Sequence, residues 1–90
     1  MKSMQSEYLG SLRTTNLHIK SGQEVITDAP TDNNGKGEAF SPTDLVCAAL
    51  SSCMITIMGI KANSEGLNIE GLKSNITKEM TANPRKISRI

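Results

Sequence analysis

Apolar positions along the chain change their spacing three times. From about Tyr8 to Ile26, Leu9, Leu12, Leu17, Ile19, Val25 and Ile26 fall in loose alternation, interrupted by Ser21-Gly22. That pattern predicts two strands joined by a tight turn, a hairpin over about 8–26. Asp28 to Gly37 is almost wholly turn-forming, with Pro30 unable to donate to a ladder and Asn34-Gly35 suited to positive φ. A surface loop over 28–40 follows. Ser41-Pro42-Thr43-Asp44 then places serine at a helix N-cap, proline at its first position and a carboxylate at its third. The apolar run from Leu45 to Ala62 continues to a stop at Asn63 and Gly66. The predicted helix covers about 42–63, roughly 30 Å at about 1.5 Å per residue.

On a helical wheel Ala48, Ala49, Ser52, Thr56 and Gly59 share one narrow face, and Val46, Leu50, Met54, Ile57, Met58 and Ile60 occupy the rest. A helix apolar all round is buried by its surroundings. The small-residue stripe would admit another backbone closely, so the expected cover is a second copy of the helix in a homodimer. Asp44 and Lys61 bound the run and Ser51, Ser52 and Thr56 interrupt it, so the pattern favours a core helix over a membrane span of about 20 apolar residues. Beyond Gly66 the mixture of apolar and charged residues reads as a strand over about 67–80. Asn83-Pro84 reads as a turn, and 85–90 as a further strand that ends without a closing element. The chain therefore reads as cut short.

Ninety residues allow one domain, which buries only about 60% of its unfolded surface and needs support. Two cysteines and one histidine cannot build a structural zinc site or a disulfide framework, which leaves oligomerisation. Ten basic against nine acidic residues give a net charge of +1 without runs, and Tyr8 and Phe40 are the sole aromatics. Neither a nucleic-acid footprint nor an attraction to anionic membranes results. The start of the chain lacks an apolar signal region, so a cytoplasmic setting is expected, where thiols stay reduced unless they are catalytic or redox-sensing. Asn75-Ile76-Thr77 is then a chance sequon. Gly35-Lys36-Gly37 lacks the spacing of a phosphate-binding loop.

Cys47 and Cys53 lie on the predicted helix about 9 Å apart along its axis and about 120° apart around it, too far to bridge. Each is judged alone. A reactive thiolate needs a nearby cation or a helix N-terminus, and Cys53 is too deep in the helix for the latter. Arg13, Lys20, Lys61, Arg85 and Arg89 are the candidate cations. His18 reads as a half-exposed strand residue, and Asp28, Asp32 and Asp44 are accounted for by turns and the helix cap.

The run from Ser41 to Met54, Ser-Pro-Thr-Asp-Leu-Val-Cys-Ala-Ala-Leu-Ser-Ser-Cys-Met, resembles the central-helix signature of the OsmC/Ohr hydroperoxide-reductase family. Thr27-Asp28-Ala29-Pro30 and Asp32-Asn33-Asn34-Gly35 resemble the OsmC-like branch. The resemblance covers Tyr8 to Ile90, the N-terminal two-thirds of the usual chain. It implies an α+β fold with N-terminal antiparallel strands and a long buried central helix, in an intertwined homodimer. It also implies a cofactor-free and metal-free thiol peroxidase that reduces organic hydroperoxides, with Cys53 matching the peroxidatic cysteine. Cys47 falls where the family carries an ordinary apolar residue. Arg13, nine residues before Gly22, matches the arginine that activates the thiolate.

Two departures stand out. The peroxidase branch has a glutamate where this chain has Thr43, and its resolving cysteine lies on a later helix beyond position 90. An external thiol reductant would be needed. The alternatives are a non-catalytic OsmC-like dimer that binds a small hydrophobic molecule at the helix interface, and an inactive truncated fragment.

Overall fold

The computed structural model describes residues 2–90, which form two compact units, one running to Pro42 and the other Thr43–Ile90. Three antiparallel strands make up the first unit in the order β1-β2-β3: β1 Met4–Gly10, β2 Arg13–His18 and β3 Glu24–Asp28. The β2–β3 hairpin has its turn at Ser21-Gly22, closed by His18 N–H donating to Gln23 O at 2.9 Å and Gly22 N–H donating to His18 O at 2.8 Å. The sheet has one strand more than the expected pair, because β1 begins at Met4 and turns into β2 through Gly10, Ser11 and Leu12, all at positive φ. Gln5, Ser6 and Glu7 show no apolar alternation, and nearly every residue of β1 is exposed. Backbone pairing with β2, from Met4 opposite His18 to Tyr8 opposite Thr14, makes this segment a strand.

The 28–40 loop is folded tightly. Asp28 N–H donates to Phe40 O at 3.0 Å, Ala29 N–H to Leu12 O at 3.1 Å, and Gly37 N–H to Ala29 O at 3.1 Å. A short 3-10 turn, Thr31–Asn33, leads into Asn34 at φ +68°. Gly35 then passes so close to Ala29 that a Cβ would lie 1.7 Å from its carbonyl oxygen, so no other residue fits there without rearrangement.

The second unit is built on α1, Pro42–Ser64, close to the expected span. Gly66 at φ +69° ends it, with Leu67 N–H reaching back to Ala62 O at 2.8 Å, the six-to-one bond of a Schellman stop. The burial expected for α1 is not found within one chain: Cys47 and Ala62 alone are buried, while Ile57 is 60% and Ile60 66% exposed. By length and composition alone α1 is long and apolar enough to cross a membrane, despite the hydroxyls of Ser51, Ser52 and Thr56.

After α1 the strand expected over 67–80 shrinks to β4, Glu79–Thr81, paired with β5, Lys86–Arg89, through a turn holding a cis Asn83-Pro84 bond. Residues 67–78 are irregular. Gly71 lies at φ +90°, and no described strand pairs with the segment. Without a backbone partner a strand-like composition does not make a strand.

Candidate active site

In the first unit, register places Arg13 at the start of β2 directly opposite Asp28 at the end of β3. Both residues belong to strands that carry β-branched side chains, Thr14 and Thr15 in β2 and Val25, Ile26 and Thr27 in β3, which suit the pleat. The guanidinium forks onto the carboxylate: Nε donates to Oδ1 and Nη2 to Oδ2, each at 2.8 Å. Asp28 is 1% exposed, and its Oδ2 also accepts the backbone N–H of Glu38 at 3.0 Å. A second carboxylate, Glu38, takes Nη2 at 2.9 Å through Oε1. These hydrogen bonds hold the Asp28 carboxyl at about 2, below its usual value, against the opposing effect of burial; Arg13 and Lys36 add charge attraction. The same partners raise the affinity of Arg13 for its proton, so it stays cationic throughout.

Asp28 was accounted for above by a turn, and the structure corrects this. It ends a strand and neutralises the arginine. Glu38 escaped the sequence reading altogether, since it lies 25 positions from Arg13 in a loop of turn residues. No periodic signal links the two.

The second unit separates the two cysteines. Cys47 is 3% exposed and Cys53 is exposed, and both are free thiols. Cys47 borders a cavity of about 400 Å³ that Leu50, Met54, Met58, Leu72 and Ile76 also line, and Cys53 does not. Ser51 donates to Ser74 at 2.9 Å at its side. Near the start of α1, Lys78 Nζ donates to Thr43 Oγ1 at 2.9 Å and pairs with Asp44 at 2.8 Å. Lys78 is 18% exposed, so this contact replaces water with a hydroxyl and a carboxylate. Thr43, standing where the peroxidase branch has glutamate, is thus engaged by a lysine.

Of the other candidate cations, Lys61 pairs with Glu65 at 3.2 Å and Arg89 with Glu79 at 2.7 Å, both at exposed positions. His18 is exposed at the end of β2, its Nδ1 hydrogen-bonded to Ser21 in the turn. Arg13 belongs to the first unit and Cys53 to the second.

No protein-family model matches the chain. A search of curated proteins likewise finds no match. Among solved structures, one from Psychrobacter arcticus 273-4, described as a candidate osmotic stress induced and detoxification response protein, is 52% identical and superposes with a TM-score of 0.94. The match covers 98% of this chain and 64% of that one, so the chain spans a little under two-thirds of the relative's length. The chain accordingly has the α+β, OsmC-like fold, and in sequence it is similar to a protein of stress response and detoxification.

Proposed function

We propose that the chain is an OsmC-like thiol peroxidase of stress defence that reduces organic hydroperoxides through Cys53. One observation carries this reading: of two cysteines on one helix, the one matching the family's peroxidatic position is open to solvent, and the other is enclosed. In the reaction the Cys53 thiolate attacks the distal oxygen of ROOH. The S–O bond forms as the O–O bond breaks, the alkoxide leaves and takes a proton to become ROH, and sulfur is oxidised by two electrons to the sulfenic acid. A first external thiol condenses with the sulfenic acid and releases water. A second reduces the mixed disulfide and restores Cys53. Arg13 is the proposed source of positive charge that favours the thiolate. The proposed setting is a cytoplasmic homodimer that joins the exposed faces of α1, with no membrane or nucleic-acid partner and no cofactor.

The test is one equivalent of cumene hydroperoxide followed by dimedone labelling and mass spectrometry. Labelling is expected on Cys53 and not on Cys47, abolished by Cys53→Ser and slowed roughly tenfold by Arg13→Ala. Equal, slow labelling of both thiols would refute the reading.

A second reading is favoured by the cavity beside α1, whose volume of about 400 Å³ falls within the roughly 300–1,000 Å³ of small-molecule sites. It is lined by Leu50, Met54, Met58, Leu72 and Ile76. On this reading the protein binds a small hydrophobic molecule without turnover. Saturable quenching of an apolar fluorophore, with no hydroperoxide consumed, would favour it over the peroxidase.

A further inference from the structure

Within the second unit, residues 67–78 run back along α1. Leu67 N–H donates to Ala62 O at 2.8 Å near the C-terminal end of the helix, and Ser51 donates to Ser74 at 2.9 Å near its middle. Lys78 Nζ reaches the first turn, meeting Thr43 Oγ1 at 2.9 Å and Asp44 Oδ1 at 2.8 Å. Every residue from Leu72 to Thr77 borders the cavity that Cys47 borders from the helix. The segment is thinly seated: Leu67, Leu72 and Ile76 are between 44% and 59% exposed, and no described strand pairs with it. Few buried apolar contacts and no ladder place a segment at the low end of local stability. Cys47 is nonetheless 3% exposed, on a helix where Val46 and Met54 are more than half exposed.

From this arrangement we infer that residues 67–78 form a strap that opens locally to admit small molecules to the cavity and to Cys47, and that Lys78 is the latch that holds it shut. The Lys78 ammonium is 18% exposed and meets a hydroxyl and a carboxylate together, a charge-assisted contact. The Ser51–Ser74 bond joins two neutral hydroxyls and is the weaker tie. The strap also has slack. Fully extended, residues 67–78 would reach roughly 40 Å at about 3.3 Å per residue, against about 27 Å of helix between Asp44 and Ala62 at about 1.5 Å per residue. A bend in which Leu72 N–H donates to Ile69 O at 3.0 Å takes up part of the excess. Straightening it gives the strap room to lift while the Gly66 stop and the β4–β5 pairing stay in place. Such a strap operates whether or not Cys53 reacts with hydroperoxides.

The test follows alkylation of Cys47 by N-ethylmaleimide, read by peptide mass spectrometry of the full chain in a Cys53→Ser background, at urea concentrations below the unfolding transition. An opening confined to the strap exposes little surface, so the rate should rise only shallowly with urea; access through global unfolding would rise with the full slope of the equilibrium transition. Lys78→Met keeps the apolar stem, removes the ammonium and is expected to speed alkylation roughly fivefold to tenfold, as for a partly shielded charged contact. Lys61→Ala breaks an exposed pair with Glu65 on the same helix and should leave the rate unchanged. Closing the strap should have the opposite effect to loosening it. The Ser51 and Ser74 hydroxyls stand 2.9 Å apart, so the double variant Ser51→Cys/Ser74→Cys, once oxidised, is expected to protect Cys47, and prior reduction to restore its reactivity.

A rate that climbs with urea as steeply as unfolding itself, no acceleration in Lys78→Met, or an equal acceleration in Lys61→Ala would overturn the inference. If Lys78→Met does not fold by circular dichroism, the cross-linked chain decides. Protection that is lost on reduction supports the strap, and an unchanged rate overturns it.

Discussion

In the first unit the most buried side chains are Thr27, Asp28 and Ser41, all polar, whereas in the second they are Cys47 and Ala62, and Val46, Met54, Ile57 and Ile60 of α1 are each more than half exposed. Both units expose apolar side chains, Met4, Tyr8 and Phe40 among them in the first, but the first also buries charge, and in the second the exposed apolar side chains gather along one helix. The buried charge is tolerated because every Asp28 oxygen has a donor: Arg13 supplies two hydrogen bonds and the Glu38 backbone a third. Such a cluster is complete within its own unit. An apolar face has no equivalent way to satisfy itself, and a contiguous exposed patch of this kind marks a surface that something else covers. The comparison shows that polar groups can be settled locally by three or four partners, while a helix apolar all round needs a second layer.

The largest effect should come from adding charge to that face. Ile57→Glu is expected to weaken self-association of the chain at least about a hundredfold, because each copy forgoes burial worth about 1.5–3 kcal/mol per large aliphatic side chain. Sedimentation over a concentration series measures this, and a starting chain that is monomeric throughout would show that a different partner covers α1.

Acid is expected to act chiefly on the first unit. The Asp28 carboxyl, usually near 3.8, is held at about 2 in the folded chain. A lowered value stabilises the fold above the ordinary pKa, and that stabilisation is lost as pH falls from about 4 towards 2. Asp28→Asn should therefore be less stable at neutral pH and flatter over that acid window. Urea unfolding at several pH values tests both parts, and an unchanged acid slope would show that other carboxylates govern it.

The two cysteines sharpen the contrast inside the second unit. Cys47→Ser places a hydroxyl in a site that is 3% exposed, with an expected cost of about 1–3 kcal/mol. Cys53→Ser, at an exposed position, should stay within about 0.5 kcal/mol. Thermal unfolding of the two variants compares them directly, and equal losses would mean that Cys53 too is enclosed in the assembled protein. The smallest effect belongs to the pair Lys61–Glu65, exposed on both sides. Lys61→Ala should cost no more than about 0.3–0.5 kcal/mol by the same measurement, and less in high salt.

Some of this was legible from local chemistry alone. Ser41-Pro42-Thr43-Asp44 announces the start of α1, and Gly66 its end, because capping needs are met by residues within a few positions of each other. The β2–β3 turn at Ser21-Gly22 follows for the same reason, whereas the α+β character came with the likeness of the helical motif. The choice of Cys53 over Cys47 as the candidate nucleophile rested on the likeness of one helical motif, and the exposed thiol at that position is consistent with it.

What only tertiary structure decided lies farther apart along the chain. Strand β1 exists through backbone pairing, which leaves no apolar signature in Gln5, Ser6 and Glu7. The 67–78 segment carries a strand-like composition and stays irregular for want of a partner. Arg13, Asp28 and Glu38 come from a strand, a second strand and a loop, and nothing in their spacing forecasts a shared ion pair. Local sequence determines conformations whose hydrogen bonds close within a few residues. Which distant side chains meet, and whether an apolar face is covered, depends on contacts whose free energy appears only once the chain has folded.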